Sequence, residues 1–290
     1  MPERKIGGCM RGPEDRRDFR MVCGAAELPR RVDLRHLCSP VEHQDQLNSC
    51  TANATVGAME MLERRQGIEQ RDLSRLFVYW NTRVIDGSTD KDIGSYISSA
   101  MKAVKKSGAC LESVWPYDVS KVFTEPSYEA YQDGLERQAI EYARVEQGPG
   151  VLQTLSRGFP VVFGMMLYGS FDPVAGRTGT APVPQPGEPR VGGHAMLIVG
   201  YDMDEQMYLV RNSWGGRWGD GGYCKVPFGM VDNPAMSWDF WAVLSMEDGG
   251  DYEIVRAPSR AEQRRQLAEW LKKLAGMPGR IAGRLGLRRG

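Results

Sequence analysis

The stretch Pro40-Val-Glu-His-Gln-Asp-Gln-Leu-Asn-Ser-Cys-Thr-Ala-Asn-Ala54 reads as a turn-rich loop that delivers one cysteine, Cys50, to the start of a helix. Asn48 and Ser49 are both able to cap free backbone N–H groups. Residues 51–65 are mostly good helix formers, and Gly67 supplies a stop. Cys50 therefore falls in the first helical turn. There the unpaired N–H groups and the helix macrodipole favour thiolate over thiol, which lowers the pKa and makes the sulfur a nucleophile at neutral pH. A structural cysteine in the same place is the plainer alternative, and partners elsewhere in the chain must distinguish the two.

At 290 residues and 41% hydrophobic content the chain has room for one large core or two, and so for a buried site. Its formal net charge of zero hides an asymmetry. Over residues 256–290 ten Lys and Arg stand against Glu262 and Glu269, a net of +8, so the remainder carries −8. No clear nucleic-acid signature emerges. No run of roughly 18 apolar residues occurs, and the N-terminus lacks the apolar stretch of a secretory signal. A soluble chain without an export signal is expected, with its compartment left open. The six cysteines (Cys9, Cys23, Cys38, Cys50, Cys110, Cys224) form no C-x-x-C pair, so neither a zinc site nor a dense disulfide framework is indicated. No metal or organic cofactor is expected.

Residues 1–27 are polar and glycine-containing and read as an extended leader, either disordered or lying on the body. After the Cys50 helix, residues 72–83 carry apolar positions at helical spacing, and residues 93–108 read as a third helix closed by Gly108. Residues 129–145 are helical in pattern. From Gly158 onward short β-type runs dominate, at 159–167, 195–201, 207–212, 222–227 and 240–244, separated by glycine and proline. An antiparallel sheet or small barrel is expected there. Residues 172–193, rich in Gly, Pro and Thr, read as a surface loop overhanging a cleft. The tail opens with a capping box at Ser259 to Glu262 and carries an apolar stripe of Leu267, Leu271 and Leu274 among basic residues. Docking on the acidic body is the plainer reading, and contact with an anionic membrane surface, nucleic acid or a partner is the alternative.

A reactive thiolate needs a base and an orienter for that base. The three histidines are His36, His43 and His194. His194 opens a strand-like run directly after Gly192 and Gly193, whereas His36 and His43 lie in the polar loop beside Cys50. Residue order alone leaves the choice open. The segment Arg211-Asn-Ser-Trp-Gly-Gly-Arg-Trp218-Gly-Asp-Gly-Gly-Tyr223 narrows it. The Asn212 amide oxygen is suited to accept an imidazole N–H and fix the tautomer, and the Trp214 indole to keep water off that bond.

Gln44, Cys50 six residues later, the Gly193-His194-Ala195 run and Asn212-Ser-Trp-Gly followed by Trp218-Gly-x-x-Gly-Tyr together resemble the papain-like cysteine peptidases, over roughly residues 28–244. The form of the Cys50 loop looks like the bacterial branch. The resemblance implies Cys50 as nucleophile, His194 as general base and then acid, Asn212 as orienter and Trp214 as shield. It implies an oxyanion hole from the Gln44 amide and the Cys50 backbone N–H, each donor worth roughly 3 kcal/mol of barrier. Gly94 and Ser95 would pair with the substrate backbone as an added strand, so the implied substrate-binding set is Gly94, Ser95, Gly193 and Trp214. Three positions depart from the family pattern. Leu47 stands where most relatives have a disulfide cysteine, Thr51 where they have tryptophan, and Gly193 where an acidic or polar residue is common.

The resulting expectation is an α+β, papain-like two-domain fold with a helical first domain and an antiparallel β-barrel-like second, the cleft lying between them. The divisions are 1–27 as leader, 28–135 as helical domain, 136–255 as β-rich domain and 256–290 as tail. The function implied is a cysteine endopeptidase acting on a peptide or protein substrate through a Cys-His-Asn triad and a thioester. A leader of about 27 residues reaches at most about 90 Å, enough to lie along a cleft, so residues near Lys5 to Met21 are expected to inhibit the enzyme as an intramolecular zymogen segment. The rivals are a cysteine amidase or transacylase on a non-protein amide, and a non-catalytic binding protein acting through its basic tail.

Overall fold

The computed structural model describes residues 7–13, 15, 18–23, 27–68, 71–139, 141–244 and 252–256, with Val22, Cys23 and 252–256 described by backbone alone. The basic helix read from Ser259 onward lies outside the described residues. The leader contributes β1 (Cys9–Met10) and β2 (Phe19–Cys23), and β3 (Arg31–Asp33) follows. The helical half holds α1 (Cys50–Arg65), α2 (Arg75–Asp86), β4 (Ser95–Tyr96), α3 (Ile97–Ser107) and α4 (Tyr128–Leu135). The second half runs β5 (Glu141–Arg144), α5 (Pro149–Ser156), β6 (Val161–Tyr168), α6 (Phe171–Thr178), β7 (Arg190–Asp202) and β8 (Met207–Arg211). It ends with β9 (Tyr223–Pro227), α7 (Phe228–Val231), β10 (Ser237–Leu244) and β11 (Tyr252–Arg256).

The α+β class and the division into a helical and a β-rich half hold. The barrel-like closure does not: the second half is an open sheet in the order β11-β2-β5-β10-β6-β7-β8-β9, with β3 pairing β7. β7 serves β6 with its first part and β3 with its last, where Val32 pairs with Tyr201 and Asp33 with Gly200. A Cβ on Gly200 would stand 2.3 Å from the Val32 carbonyl oxygen, so only glycine allows that approach.

Three segments differ from the sequence reading. Residues 129–145 are a short helix followed by a strand, because Gly134 packs against the Ser107 carbonyl and Phe77, and residues 141–144 then find partners on β10. Residues 172–193 are not all loop. Phe171 packs against Trp214 and Trp218 and Ala175 is buried one turn on, fixing α6, which ends at Gly179 with φ 70°. The third helix starts late, at Ile97, since Ser95 and Tyr96 are extended and pair with the leader.

The core sits on both sides of α1, which is buried from Cys50 through Met61 and is sandwiched between α2 and α3 on one side and β7 on the other. That explains its composition. Small residues (Ala52, Ala54, Gly57, Ala58) let neighbours approach from every side, the pattern of a helix buried all round.

Gly108 closes α3 with φ 67°, and a Cβ there would lie 1.8 Å from the Gly134 carbonyl oxygen. Gly108→Ala combines a left-handed backbone with a main-chain clash, so it is expected to lower stability by about 3 kcal/mol or more, read as a shift of the urea midpoint.

Candidate active site

The Cys50 loop is fastened from both halves of the molecule. From the helical side the buried Arg75 pairs with Glu42 at 2.6 Å, and Tyr117 donates its hydroxyl to the Gln44 carbonyl at 2.8 Å. From the sheet side Arg211 donates to the carbonyls of Ser39 at 2.7 Å and Pro40 at 2.8 Å. Ser39 in turn donates to Glu60, whose carboxyl is pushed up to about 7 by burial. A loop tied at this many points holds Cys50 still.

The helix start differs in its caps. Ser49 is the N-cap but its hydroxyl meets Tyr117 at 2.6 Å instead of capping, and Asn48 turns away to Asp92, its backbone N–H reaching the carboxylate at 3.0 Å. Thr51 bonds Ser95 through their hydroxyls at 2.5 Å, so one of the positions that depart from the family pattern ties the Cys50 helix to β4.

His194, on β7, and Asn212, one residue past β8, are brought together because those strands pair antiparallel. His194 Nε2 lies 2.8 Å from Asn212 Oδ1, and its ring stacks on Trp214 with centroids 4.8 Å apart. Its Nδ1 is buried with no hydrogen-bond partner among the described residues. The backbone N–H groups of Ala195 and Thr51 both act on the Cys50 sulfur, which places the thiol beside the histidine's own stretch of strand. His36 is exposed, and His43 pairs with Asp45 at 2.9 Å, so neither joins this cluster. Gln44 donates one amide N–H to the Leu47 carbonyl at 2.8 Å and accepts from the Ser213 hydroxyl at 2.5 Å. An amide has two N–H donors, and that bond uses one.

Residues 7–12 lie along the cleft. The Gly7 carbonyl oxygen accepts from the Cys50 thiol at 3.6 Å, the Ser95 N–H reaches the Gly8 carbonyl at 2.8 Å, and Cys9 and Met10 run parallel to Ser95 and Tyr96. Gly12 N–H donates to Asp239 at 2.8 Å. Beyond it the buried Arg144 pairs with Asp239 at 2.9 Å and with Asp18 at 2.7 Å. Of the segment expected in the cleft from Lys5 to Met21, residues 7–12 lie there, whereas β2 joins the sheet beside β5 and puts Met21 in the core; residues 5, 6, 14, 16 and 17 lie outside the described residues. Gly94 and Gly193 both face this segment: a Cβ on either would meet leader backbone, at 2.0 Å from Gly8 O and 2.2 Å from Cys9 O.

Burial reverses the expected acidity of the thiol. With the cleft covered, the Cys50 pKa is pushed up to about 12, outweighing the backbone N–H groups of Ala195 and Thr51, and His194 is pushed down to about 4 against the opposing effects of Asn212 and Asp172. Sequence reasoning missed Asp172, which accepts from Trp218 Nε1 at 2.8 Å beside the histidine, and it missed Cys9, Arg144, Trp238 and Asp239. These belong to distant segments with no local motif. Among the described residues no His, Cys, Asp or Glu group has the arrangement of a metal site, and no helix is long and apolar enough to cross a membrane.

Residues 28–236 match the model of the papain family of cysteine proteases, and the chain belongs to that family. It is a cysteine peptidase, a hydrolase. The crystal structure of xylellain, a cysteine protease from Xylella fastidiosa, is 31% identical with a TM-score of 0.77, the match covering 83% of this chain and 96% of that one. An uncharacterized peptidase C1-like protein of Acanthamoeba polyphaga mimivirus is 32% identical over 240 residues, 79% of this chain and 77% of the relative. A digestive procathepsin L 3 of the Tenebrio molitor larval midgut shares the fold at 21% identity and a TM-score of 0.62, over 81% of this chain and 76% of that one.

Two linkage consequences follow from the buried pair. The neutral imidazole stabilises the covered state fully above its ordinary pKa of 6.5, and that stability is lost as pH falls through about 4. The neutral thiol stabilises it below 9.0, and that is lost as pH rises through about 12. Full-length protein at pH 7 is therefore expected to be alkylated at Cys50 by iodoacetamide at least about 100-fold more slowly than a free exposed thiol, because its thiolate fraction is so small. Mass spectrometry of the Cys50 peptide reads this; a rate equal to that of glutathione would refute it.

Proposed function

We propose that the chain is an endopeptidase that hydrolyses peptide bonds with Cys50, His194 and Asn212, and that its own N-terminal segment holds it latent. The observation that carries the reading is the state of His194. One ring nitrogen is held by Asn212 at 2.8 Å, one face is covered by Trp214, and Nδ1 is left without a partner among the described residues, while the N–H of the next residue, Ala195, acts on the Cys50 sulfur. This is the arrangement a general base needs, an oriented ring with one nitrogen free to take a proton.

In this reading Nδ1 takes the Cys50 proton, and the thiolate attacks the carbonyl carbon of the scissile bond. The resulting oxyanion is held by the Cys50 backbone N–H and the second N–H of Gln44, whose amide is fixed by Leu47 and Ser213. The C–N bond breaks as His194 gives its proton to the leaving amine. Water, deprotonated by the same nitrogen, then attacks the thioester carbon, releasing the acid and restoring the thiol. Gly94 and Ser95 hold the substrate backbone, and Trp214 keeps bulk water from the His194–Asn212 bond.

Latency is supported by the path of residues 7–12. They take the backbone partners that a substrate needs, and the Gly7 carbonyl presents its oxygen to the sulfur, not its carbon to attack. Arg144, paired with Asp18 and Asp239, keeps the segment in place from the β-rich half. Leaving β2 intact is essential to any test, since it is part of the sheet.

Deleting residues 1–17 is expected to raise kcat/KM on fluorogenic peptides by 10-fold or more, roughly the effect of exposing a blocked site, with circular dichroism unchanged. Equal rates from the folded truncated and full-length proteins would sink the latency. Within the truncated enzyme, Cys50→Ala should abolish turnover, and Asn212→Ala should lower kcat by roughly 100-fold through a misaligned imidazole. Full activity in Cys50→Ala would overturn the nucleophile assignment.

A further inference from the structure

The leader also shows what the cleft wall accepts as a side chain. Of residues 7–10 only Cys9 is buried, at 6% exposure. Its sulfur enters a recess formed by Gly164 of β6, Gly193 of β7 and the indole of Trp238 on β10. Gly164 pairs with Ala195, and Gly193 with Met166, so both glycines stand on one face of the sheet. A Cβ on Gly164 would lie 2.6 Å from Trp238 Nε1 and 3.0 Å from Cys9 Sγ, and a Cβ on Gly193 would lie 3.0 Å from Trp238 Cζ2. The indole therefore rests on the two glycines and fills the space that side chains would take. Little depth is left above it, and Cys9 uses that depth.

The recess also has a polar point. Trp238 is 8% exposed, and its indole N–H makes no regular hydrogen bond among the described residues. It faces the Cys9 sulfur and lowers that thiol's pKa, against the larger upward effect of burial. A buried donor of this kind rewards an acceptor and is left unsatisfied by hydrocarbon.

We propose that this recess is the specificity pocket of the peptidase, and that it takes a small side chain able to accept the Trp238 N–H, cysteine or serine, then alanine, and excludes leucine and phenylalanine. The proposal rests on the cleft being the substrate site. A leucine opposite Ser95 would have to displace a buried indole packed on backbone, which is overpacking, and it would leave the N–H unpaired. Discrimination of about 10- to 100-fold in kcat/KM is the scale such pockets reach.

The test has two arms. In the first, the enzyme lacking residues 1–17 is given a positional peptide library. At one position Cys, Ser and Ala are expected to exceed Leu and Phe by at least about 10-fold, and Trp238→Ala should shift that position toward Leu. A preference for Leu or Phe at that position, unchanged in Trp238→Ala, overturns the inference. Cleavage of no library member overturns the peptidase reading itself. The second arm uses the full-length chain and does not depend on the folding of a Trp238 variant. Cys9→Ser should stay latent, whereas Cys9→Leu, which the recess excludes, should raise peptide turnover. Equal latency in both folded variants also overturns the inference.

Discussion

The structure depends on one buried contact, the face of α1 against β7 and β8. At Gly57 the helix lies against both strands, where an added Cβ would make ordinary van der Waals contact with Leu197 at 3.5 Å and the Arg211 guanidinium at 3.6 Å. Because α1 is covered on its other side by α2 and α3, its axis is fixed by two packed layers, and its first residue has no freedom to drift. The strand it rests on carries His194. The same packing that builds the core therefore sets the distance between the sulfur and the imidazole.

Arg211 makes that contact polar as well as apolar. Its guanidinium lies under the helix and donates to Ser39 and Pro40, so the loop leading into Cys50 is held by the last residue of β8, next to Asn212. Loop, helix and strand share one buried cation. Removing it would leave the two carbonyls without donors at the point where the halves meet, a large cost for a single side chain.

Much of this was legible in the sequence because it rests on local signals. The helix from Cys50 to Arg65, the β-type runs of the second half and the Cys50, His194 and Asn212 stations each announce themselves within a few residues. What was not legible depends on partners far away in the chain. Residues 141–144 look helical alone and become a strand because β10 offers an edge. The leader strand β2 has no signal of its own strength, and its place beside β5 follows from tertiary pairing. Residues 171–178 form a helix inside a Gly- and Pro-rich loop because Trp214 and Trp218 give Phe171 a surface to cover. The acidity of Cys50 was read from the helix alone, whereas burial is the larger influence once residues 7–12 exclude water.

The same burial acts on the thiol and the imidazole in opposite directions. For both Cys50 and His194 the largest influence on pKa is burial, and it drives the two values apart, the thiol to about 12 and the imidazole to about 4. A proton therefore stays on sulfur. The opposing influences, the Ala195 and Thr51 N–H groups on the thiol and Asn212 on the imidazole, are built into strands and helix and do not depend on the leader. Once water reaches the pair the burial contribution shrinks while these remain, so the two pKa values move toward each other and proton transfer becomes accessible. With Gly7 seated on the Cys50 thiol, burial outweighs the opposing hydrogen bonds at both groups, and each is held in its neutral form.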